Sequence, residues 1–169
     1  MGLLRPTLVL LPRRPFTDSH TVFIMQVVEK NVLVAHTPEQ MFRLVDDVAH
    51  YPRFLPWCSK GEEHSRDGDQ LVASLHIDYL KVRQHFTTRN INEPYSSILM
   101  ELVDGPFKHL QGRWHFLPLG DVGCKVEFRL SYEFSSKILE KLIGPVFGHI
   151  SGTLVDAFIK EADKVYGDD

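Results

Sequence analysis

Apolar and polar residues alternate over five segments in the middle of the chain, as they do in β-strands with one buried face. The clearest segment is KVEFRLSYEF, residues 125–134, in which every second residue is apolar or aromatic. The others are residues 71–79, 81–91, 96–103 and 110–118, with turn sequences such as RDGD, NEPYS, VDGPFK and LGDVG between segments. Short connections and one apolar face predict an antiparallel meander.

A further strand and a helix are predicted before these segments. Residues 26–34 are rich in valine and are typical of a strand. In the HTPEQMFRLVDDVAHY segment that follows, Thr37 and Gln40 match a capping box, and Pro38 suits the first helical position. We expect Pro52 to end this helix and to leave at most one further short helical turn.

A long helix is predicted at the C-terminal end of the chain. Ser136 can cap it and Gly167 can end it. Apolar residues recur at every fourth position, which predicts one apolar stripe: Ile138, Leu142, Val146, Ile150, Leu154, Phe158 and Ala162. The predicted order is therefore strand, helix, short helical turn, six strands and long helix, and five of the six strands are the alternating segments described above. This order favours an α+β fold in which a curved antiparallel sheet grips one helix.

Composition narrows the class of protein. The chain has 169 residues, of which 43% are hydrophobic, and this is enough for one globular domain. A net charge of −3 argues against a protein that coats DNA through bulk electrostatics. Two cysteines, Cys58 and Cys124, are too few for a disulfide framework and lie in no zinc motif, so we expect a cytoplasmic protein.

The first twenty-four residues differ from the rest of the chain. They carry three arginines and three prolines but only one acidic residue. Pro6 and Pro12 interrupt the apolar run that a secretory signal needs, so we expect Met25 to be the true start and residues 1–24 to be a disordered extension. No stretch approaches the roughly 20 apolar residues that span a bilayer, which predicts a soluble protein.

Candidate catalytic and metal-binding residues are few. Cys58 follows His50 by eight residues, but nothing in the sequence fixes their geometry, and an unreactive buried cysteine is the simpler interpretation. His76 and His85 are expected on facing strands, without a third metal ligand. No motif of a hydrolase, metalloprotease or phosphate-binding loop is present. We therefore expect a protein that is not an enzyme and requires no metal or cofactor.

Two features point to binding. In KVRQHFTTR, the side chains of Lys81, Arg83, His85 and Arg89 are expected on one face, which suits either RNA or a solvated surface. The turn DGPFK places Phe107 where a side chain is usually exposed, which indicates a surface contact or core packing.

Four stretches resemble one protein family: YPRFLPWC (51–58), TTRN (87–90), SILMELVDGPFKHLQGRWHF (97–116) and FGHISGTLVDAFIKEADKVYG (147–167). Through them residues 25–167 resemble the coenzyme-Q-binding START-like family, of the SRPBCC superfamily and polyketide cyclase/START type. The FLPWC and LMELVDGPFK motifs resemble the bacterial branch of ribosome-association toxins (RatA) more than the mitochondrial quinone-binding proteins. The resemblance implies a helix-grip fold, an internal cavity and no catalytic set.

The resemblance implies ubiquinone, or a similar hydrophobic isoprenoid, as the ligand. A pocket for its head group and first isoprene units would measure roughly 300–1,000 Å³. We expect Tyr51, Phe54 and Trp57 to gate the mouth. The cavity wall is expected from Leu75, Ile77, Phe86, Met100, Trp114, Phe116, Phe128, Leu130, Phe147, Ile150, Leu154 and Phe158. A protruding tail would need a membrane, so Arg53, Lys60 and Lys108 are candidates for peripheral contact with anionic headgroups at the inner membrane.

Two alternatives stay open. The toxin branch is described as acting on the large ribosomal subunit and blocking subunit joining, which here would use a surface patch of Lys81, Arg83, Arg89 and Lys108. The wider superfamily also contains polyketide cyclases and aromatases, which would require polar groups that point into the cavity. Fold alone cannot choose among these functions.

Overall fold

A computed structural model describes residues 25–167, so the predictions for residues 1–24 lie outside the described part of the chain. The predicted order of elements is confirmed. The elements are β1 (Gln26–Val34), α1 (Pro38–Asp46), a 3₁₀ helix (Val48–Arg53), β2 (Cys58–Asp67), β3 (Gln70–Tyr79), β4 (Val82–Glu93), β5 (Ser97–Asp104), β6 (Phe107–Leu119), β7 (Gly123–Phe134) and α2 (Lys137–Tyr166).

The seven strands form one antiparallel sheet in the order β1-β7-β6-β5-β4-β3-β2. Strands β2 to β7 are a meander in which each strand pairs with the next, and β1 closes the far edge beside β7. The inner face of the sheet holds α2, while the outer face carries mostly polar side chains. This is the expected α+β helix-grip arrangement.

The capping box of α1 is confirmed, but the predicted end of this helix is wrong. The Thr37 hydroxyl accepts a hydrogen bond from the Gln40 backbone amide at 3.1 Å, and the Gln40 side chain accepts one from the Thr37 amide at 2.9 Å. The helix ends at Asp46, and Pro52 lies inside the following 3₁₀ helix. This helix lies against β2, where a Cβ atom at Gly61 would be only 2.0 Å from the Val48 carbonyl oxygen.

The predicted apolar stripe of α2 is correct in its second half only. Ile138 and Leu142 are 71% and 66% exposed, while the buried face begins at Ile143. Residues spaced by four advance about 40° around a helix of 3.6 residues per turn, so such a row winds away from one face. The buried residues instead mix steps of three and four: Ile143, Val146, Phe147, Ile150, Ser151, Val155, Phe158, Glu161 and Ala162.

Helix α2 is long and apolar enough to cross a membrane by length and composition, contrary to the expectation that no segment qualifies. The core helix of a soluble protein meets the same criterion. In this fold, Phe147, Ile150 and Phe158 on α2 are buried in the core cluster beneath the sheet. The interior therefore accounts for the buried apolar residues of α2 from Ile143 onward, while Ile138 and Leu142 near its start stay exposed.

Candidate functional site

An internal cavity lies between the inner face of the sheet and α2. Its volume is about 70 Å³, far below the roughly 300–1,000 Å³ of typical ligand sites. The space between the sheet and α2 is therefore smaller than the pocket expected for a quinone head group, and quinone binding stays a prediction. The interior is filled by aromatic rings in tilted and edge-on contact. Trp114 lies 4.5 Å from Phe128 and 5.3 Å from Phe158 between ring centroids.

Most of the expected wall residues do line this cavity: Tyr51, Trp57, Leu75, Phe86, Met100, Trp114, Phe128, Leu130, Phe147, Ile150, Leu154 and Phe158. Three expected residues do not line it. Ile77 and Phe116 are buried elsewhere in the core, and the Phe116 ring stacks behind that of Trp114. Phe54 is half-buried outside the cavity, with its ring 5.1 Å from that of Phe158.

Three polar residues of the cavity wall were missed. Thr88 and Asn90 are buried on β4, and the Thr88 hydroxyl donates to the Asn90 side-chain oxygen at 2.8 Å. Ser151 on α2 donates to the Phe147 carbonyl oxygen at 2.9 Å. A period of two counted from Phe86 would have placed Thr88 and Asn90 on the inner face. A cyclase or aromatase would require polar groups in the cavity wall, and these three residues are polar. This alternative therefore stays open.

The segment from Tyr51 to Trp57 closes one end of the cavity as a packed layer. The Leu55 amide donates to the Tyr51 carbonyl oxygen at 2.9 Å, and the Trp57 carbonyl oxygen accepts from the Asp78 amide at 3.0 Å. The Tyr51 hydroxyl donates to the Val45 carbonyl oxygen. Burial, with a smaller contribution from Asp46, raises the pKa of Tyr51 far above its ordinary range. The layer is thus held by buried hydrogen bonds at both ends.

Cys58 and His50 do not form a nucleophile and base. Burial raises the pKa of the Cys58 thiol to about 11, and its Sγ lies 3.5 Å from the Lys60 carbonyl oxygen. The Nε2 atom of His50 instead lies 3.7 Å from Glu161 Oε1 on α2. Because the thiolate is the reactive form, and the Cys58 thiol keeps its proton at neutral pH, Cys58 is unreactive there. Cys58 is the first residue of β2.

The histidines of the outer sheet face form no metal site. The His76 and His85 rings stack with centroids 5.4 Å apart, as expected for facing strands. Within residues 25–167, no group of three or more His, Cys, Asp or Glu side chains could hold a metal ion. His64 Nε2 lies 2.6 Å from the Ser74 hydroxyl, yet Glu62 contacts this same nitrogen at 3.6 Å. A catalytic triad needs its carboxylate on the other ring nitrogen.

The expected surface patch is dispersed over several elements. Arg53 is exposed at the end of the 3₁₀ helix, and Lys81 lies in the β3–β4 turn with φ of 66°, not on the strand face. Arg83 and Arg89 do share the outer face of β4, but six residues along a strand separate them by roughly 20 Å. Lys108 is exposed at the start of β6.

Phe107 is not a surface contact. It is 6% exposed and begins β6, where its ring meets those of Phe147 at 4.9 Å and Phe134 at 5.0 Å. Gly105, two residues earlier in this turn, has a φ of +149°, a conformation that favours glycine. The expectation of an exposed tip is therefore wrong, because this turn directs Phe107 into the aromatic core.

Several proteins align with most of the length of this chain. Residues 34–159 match the model of the family described as polyketide cyclase / dehydrase and lipid transport. A protein from Vibrio cholerae named ribosome association toxin RatA is 45% identical over 85% of this chain and 100% of its own length. A Drosophila melanogaster protein named coenzyme Q-binding protein COQ10, mitochondrial, is 29% identical over 82% of this chain and 59% of its own length.

Solved structures agree on the fold. The solution structure of an 18 kDa protein from Caulobacter crescentus is 31% identical, with a TM-score of 0.64, and the match covers 86% of this chain and 99% of that one. The ZhuI aromatase/cyclase from Streptomyces sp. R1128 has a TM-score of 0.72 over 83% of this chain and 95% of that one, at 19% identity, and shows the fold alone. This chain therefore belongs to the polyketide cyclase / dehydrase and lipid transport family, and its fold is START-like.

Proposed function

We propose that this protein associates with the ribosome. The observation that carries the proposal is its 45% identity, over the whole length of the relative, to a protein named ribosome association toxin RatA. The identity to the relative named for coenzyme Q is lower, at 29%, and covers 59% of that protein. A ribosome-associated protein would work in the cytoplasm, with the large subunit as the expected partner.

The small volume of the internal cavity also favours ribosome association over quinone binding. A cavity of about 70 Å³ cannot receive a quinone head group without displacing wall side chains. An association through the protein surface makes no such demand. The outer sheet face presents arginine, histidine, glutamine and asparagine side chains to solvent, which is the chemistry that a ribosomal surface can bind.

Co-sedimentation with purified ribosomal particles tests the proposal. The protein is mixed with isolated large subunits, small subunits and intact ribosomes, and each mixture is separated on a sucrose gradient. We expect the protein to travel with the large subunit and to lower the amount of intact ribosome formed when subunits are mixed. Protein that stays at the top of all three gradients at low salt would contradict the proposal.

A second candidate function is the binding of a hydrophobic ligand in the cavity. Trp57 favours it, because its side chain lines both the cavity and a surface groove of about 450 Å³ between residues 54–57 and α2. Displacement of this one side chain would join the two spaces. An isoprenoid quinone would then place its apolar part beside Phe54 and Trp57 and its tail outside, next to a membrane.

Lipid extraction with mass spectrometry tests the second candidate. Protein purified from quinone-replete cells is expected to carry quinone, and Trp57→Ala is expected to carry more, because the cavity is then open to the groove. Val122→Ala is the matched control, since Val122 is 80% exposed in the β6–β7 turn. Extracts free of quinone and other lipids from both wild type and Trp57→Ala would rule this function out.

A further inference from the structure

The outer face of the sheet carries a groove of about 510 Å³ on strands β1, β7, β6 and β5. It lies on the opposite side of the sheet from the cavity. Its floor includes Arg113 and Arg129, together with the neutral hydrogen-bonding side chains of Asn31, Gln111 and Ser131. The basic residues singled out in the sequence on β4 do not line this groove.

Arg113 and Arg129 are direct partners in the β6–β7 register. Like charges directly opposite each other on neighbouring strands destabilise a sheet. Arg129 is compensated, because Glu29 is its register partner on β1 and forms an ion pair with it. On the other side of Arg113, the register partner is Leu99 of β5, which carries no charge.

The remaining carboxylate of the groove is also engaged. Glu127 Oε1 lies 3.0 Å from Lys125 Nζ, and Glu127 Oε2 lies 3.6 Å from His115 Nδ1. The hydrogen bond from Lys125 holds the pKa of Glu127 below its ordinary range, so this carboxylate stays charged. Glu101 of β5 pairs in register with Gln111, not with Arg113. Among residues 25–167, no carboxylate forms an ion pair with Arg113.

Arg113 lies in this groove beside Arg129 and has no ion-pair partner among the described residues. A bound anion would neutralise its charge. Arginine binds phosphate through two parallel hydrogen bonds, which favours phosphate over a point-charge partner. Asn31, Gln111 and Ser131 can hydrogen-bond sugar hydroxyls and base edges in the same groove. We propose that this groove is the RNA contact of the protein, with Arg113 and Arg129 binding a backbone phosphate. The proposal rests on the ribosome association proposed above and names its surface.

The test compares charge-neutral variants of the groove with variants elsewhere on the same face. Arg113→Gln and Arg129→Gln are each expected to weaken binding to purified large subunits about threefold to tenfold, as for the loss of one charge-assisted contact. Arg83→Gln and Arg89→Gln lie on the same outer face but outside the groove, and they test the surface patch that the sequence suggested. If the groove is the contact, both variants should bind as wild type does. Glu29→Gln should strengthen binding, because it frees Arg129 for phosphate.

A second measurement identifies the partner as RNA. Fluorescence anisotropy with a fluorescein-labelled oligouridylate is followed over a series of salt concentrations. Each arginine removed should lower the slope of log affinity against log salt by about 0.7, the value for one phosphate of a single strand. Thermal unfolding of each variant verifies that the fold is intact.

The outcomes separate the two proposals. If wild type does not sediment with any ribosomal particle, the proposed function fails. If wild type sediments and the two groove variants sediment equally well, ribosome association stands and the groove assignment is overturned. If the groove variants lose subunit binding while oligouridylate binding and its salt slope do not change, the partner is a ribosomal protein, and the RNA assignment is overturned. If the groove variants lose binding to anionic phospholipid vesicles but bind oligouridylate as wild type does, the RNA assignment is overturned as well.

Discussion

A Cβ atom at Gly112 would lie 2.4 Å from Cε of Met100, its register partner across β5 and β6. The Met100 thioether therefore occupies the space that a side chain on Gly112 would need. Met100 also lines the internal cavity, so this pair sets part of the cavity volume. The contact involves the far end of a flexible side chain, which can move aside at low cost.

Gly112→Ala is expected to push Met100 into the cavity and to fill it. The free energy of unfolding should change by less than about 1.5 kcal/mol, because methionine adapts to a small displacement. Urea denaturation measures this change, and a crystal structure of the variant shows the cavity. Gly148→Ala is the control, since its added Cβ would meet nothing within 4 Å beyond its chain neighbours and the nearby backbone of α2. It should stabilise α2 by roughly 0.5–1 kcal/mol. A loss above about 3 kcal/mol for Gly112→Ala would show that Met100 cannot yield.

Phe107→Ala is expected to lower the free energy of unfolding by about 3–5 kcal/mol, the range for truncation of a buried phenylalanine. The reason is the loss of ring contacts with Phe86, Tyr132, Phe134 and Phe147. Val122→Ala, in an exposed turn, should change stability by less than about 0.5 kcal/mol in the same urea titration. A similar small effect for Phe107→Ala would mean that the phenyl ring is at the surface in solution.

Stability should fall as the pH rises from about 9 to about 11, in part through the two thiols. Burial raises the pKa of Cys58 and of Cys124 from an ordinary 9.0 to about 11. Below pH 9 the thiols keep their protons in both the folded and the unfolded chain. Between pH 9 and about 11 only the unfolded chain releases them, so the free energy of unfolding falls as the pH rises. Each thiol contributes at most about 1.4 kcal/mol per pH unit in this window.

Urea denaturation at a series of pH values measures this fall. The Cys58→Ala/Cys124→Ala variant should show a shallower fall of stability with pH. The native thiols should also react slowly with a disulfide reagent at pH 8 and rapidly after denaturation. An unchanged pH dependence in the double variant, or fast labelling of the native protein, would contradict the burial of these thiols.

Arg113→Gln is expected to stabilise the fold by roughly 0.2–1 kcal/mol at low salt, because it removes one of two like charges facing each other. The gain should shrink as sodium chloride is added, since exposed charges are screened. Arg83→Gln serves as the control and should bring no gain, because Arg83 lies 3.6 Å from the carboxylate of Asp78. Destabilisation by Arg113→Gln above about 1 kcal/mol would indicate a structural role for this arginine.

Much of the local structure could be predicted because its causes are local. The capping box of α1 depends on residues three apart, and the alternation in β7 depends on residues two apart. Strand β2 shows what this approach misses. Its sequence CSKGEEHSRD has no apolar alternation, and it is a strand because β3 provides a hydrogen-bonding partner. As an edge strand with exposed side chains, it needs no buried face.

The sequence by itself determined the α+β class, the elements other than β2 and most of the residues that face the interior, because periodicity and turn chemistry act over a few neighbouring residues. Only the tertiary structure decided that the cavity measures about 70 Å³ and that Phe107 is buried. It also placed Arg113 opposite Arg129, through a strand register set by the whole sheet. Volumes and cross-strand partners depend on how distant segments pack together, and no local pattern encodes them.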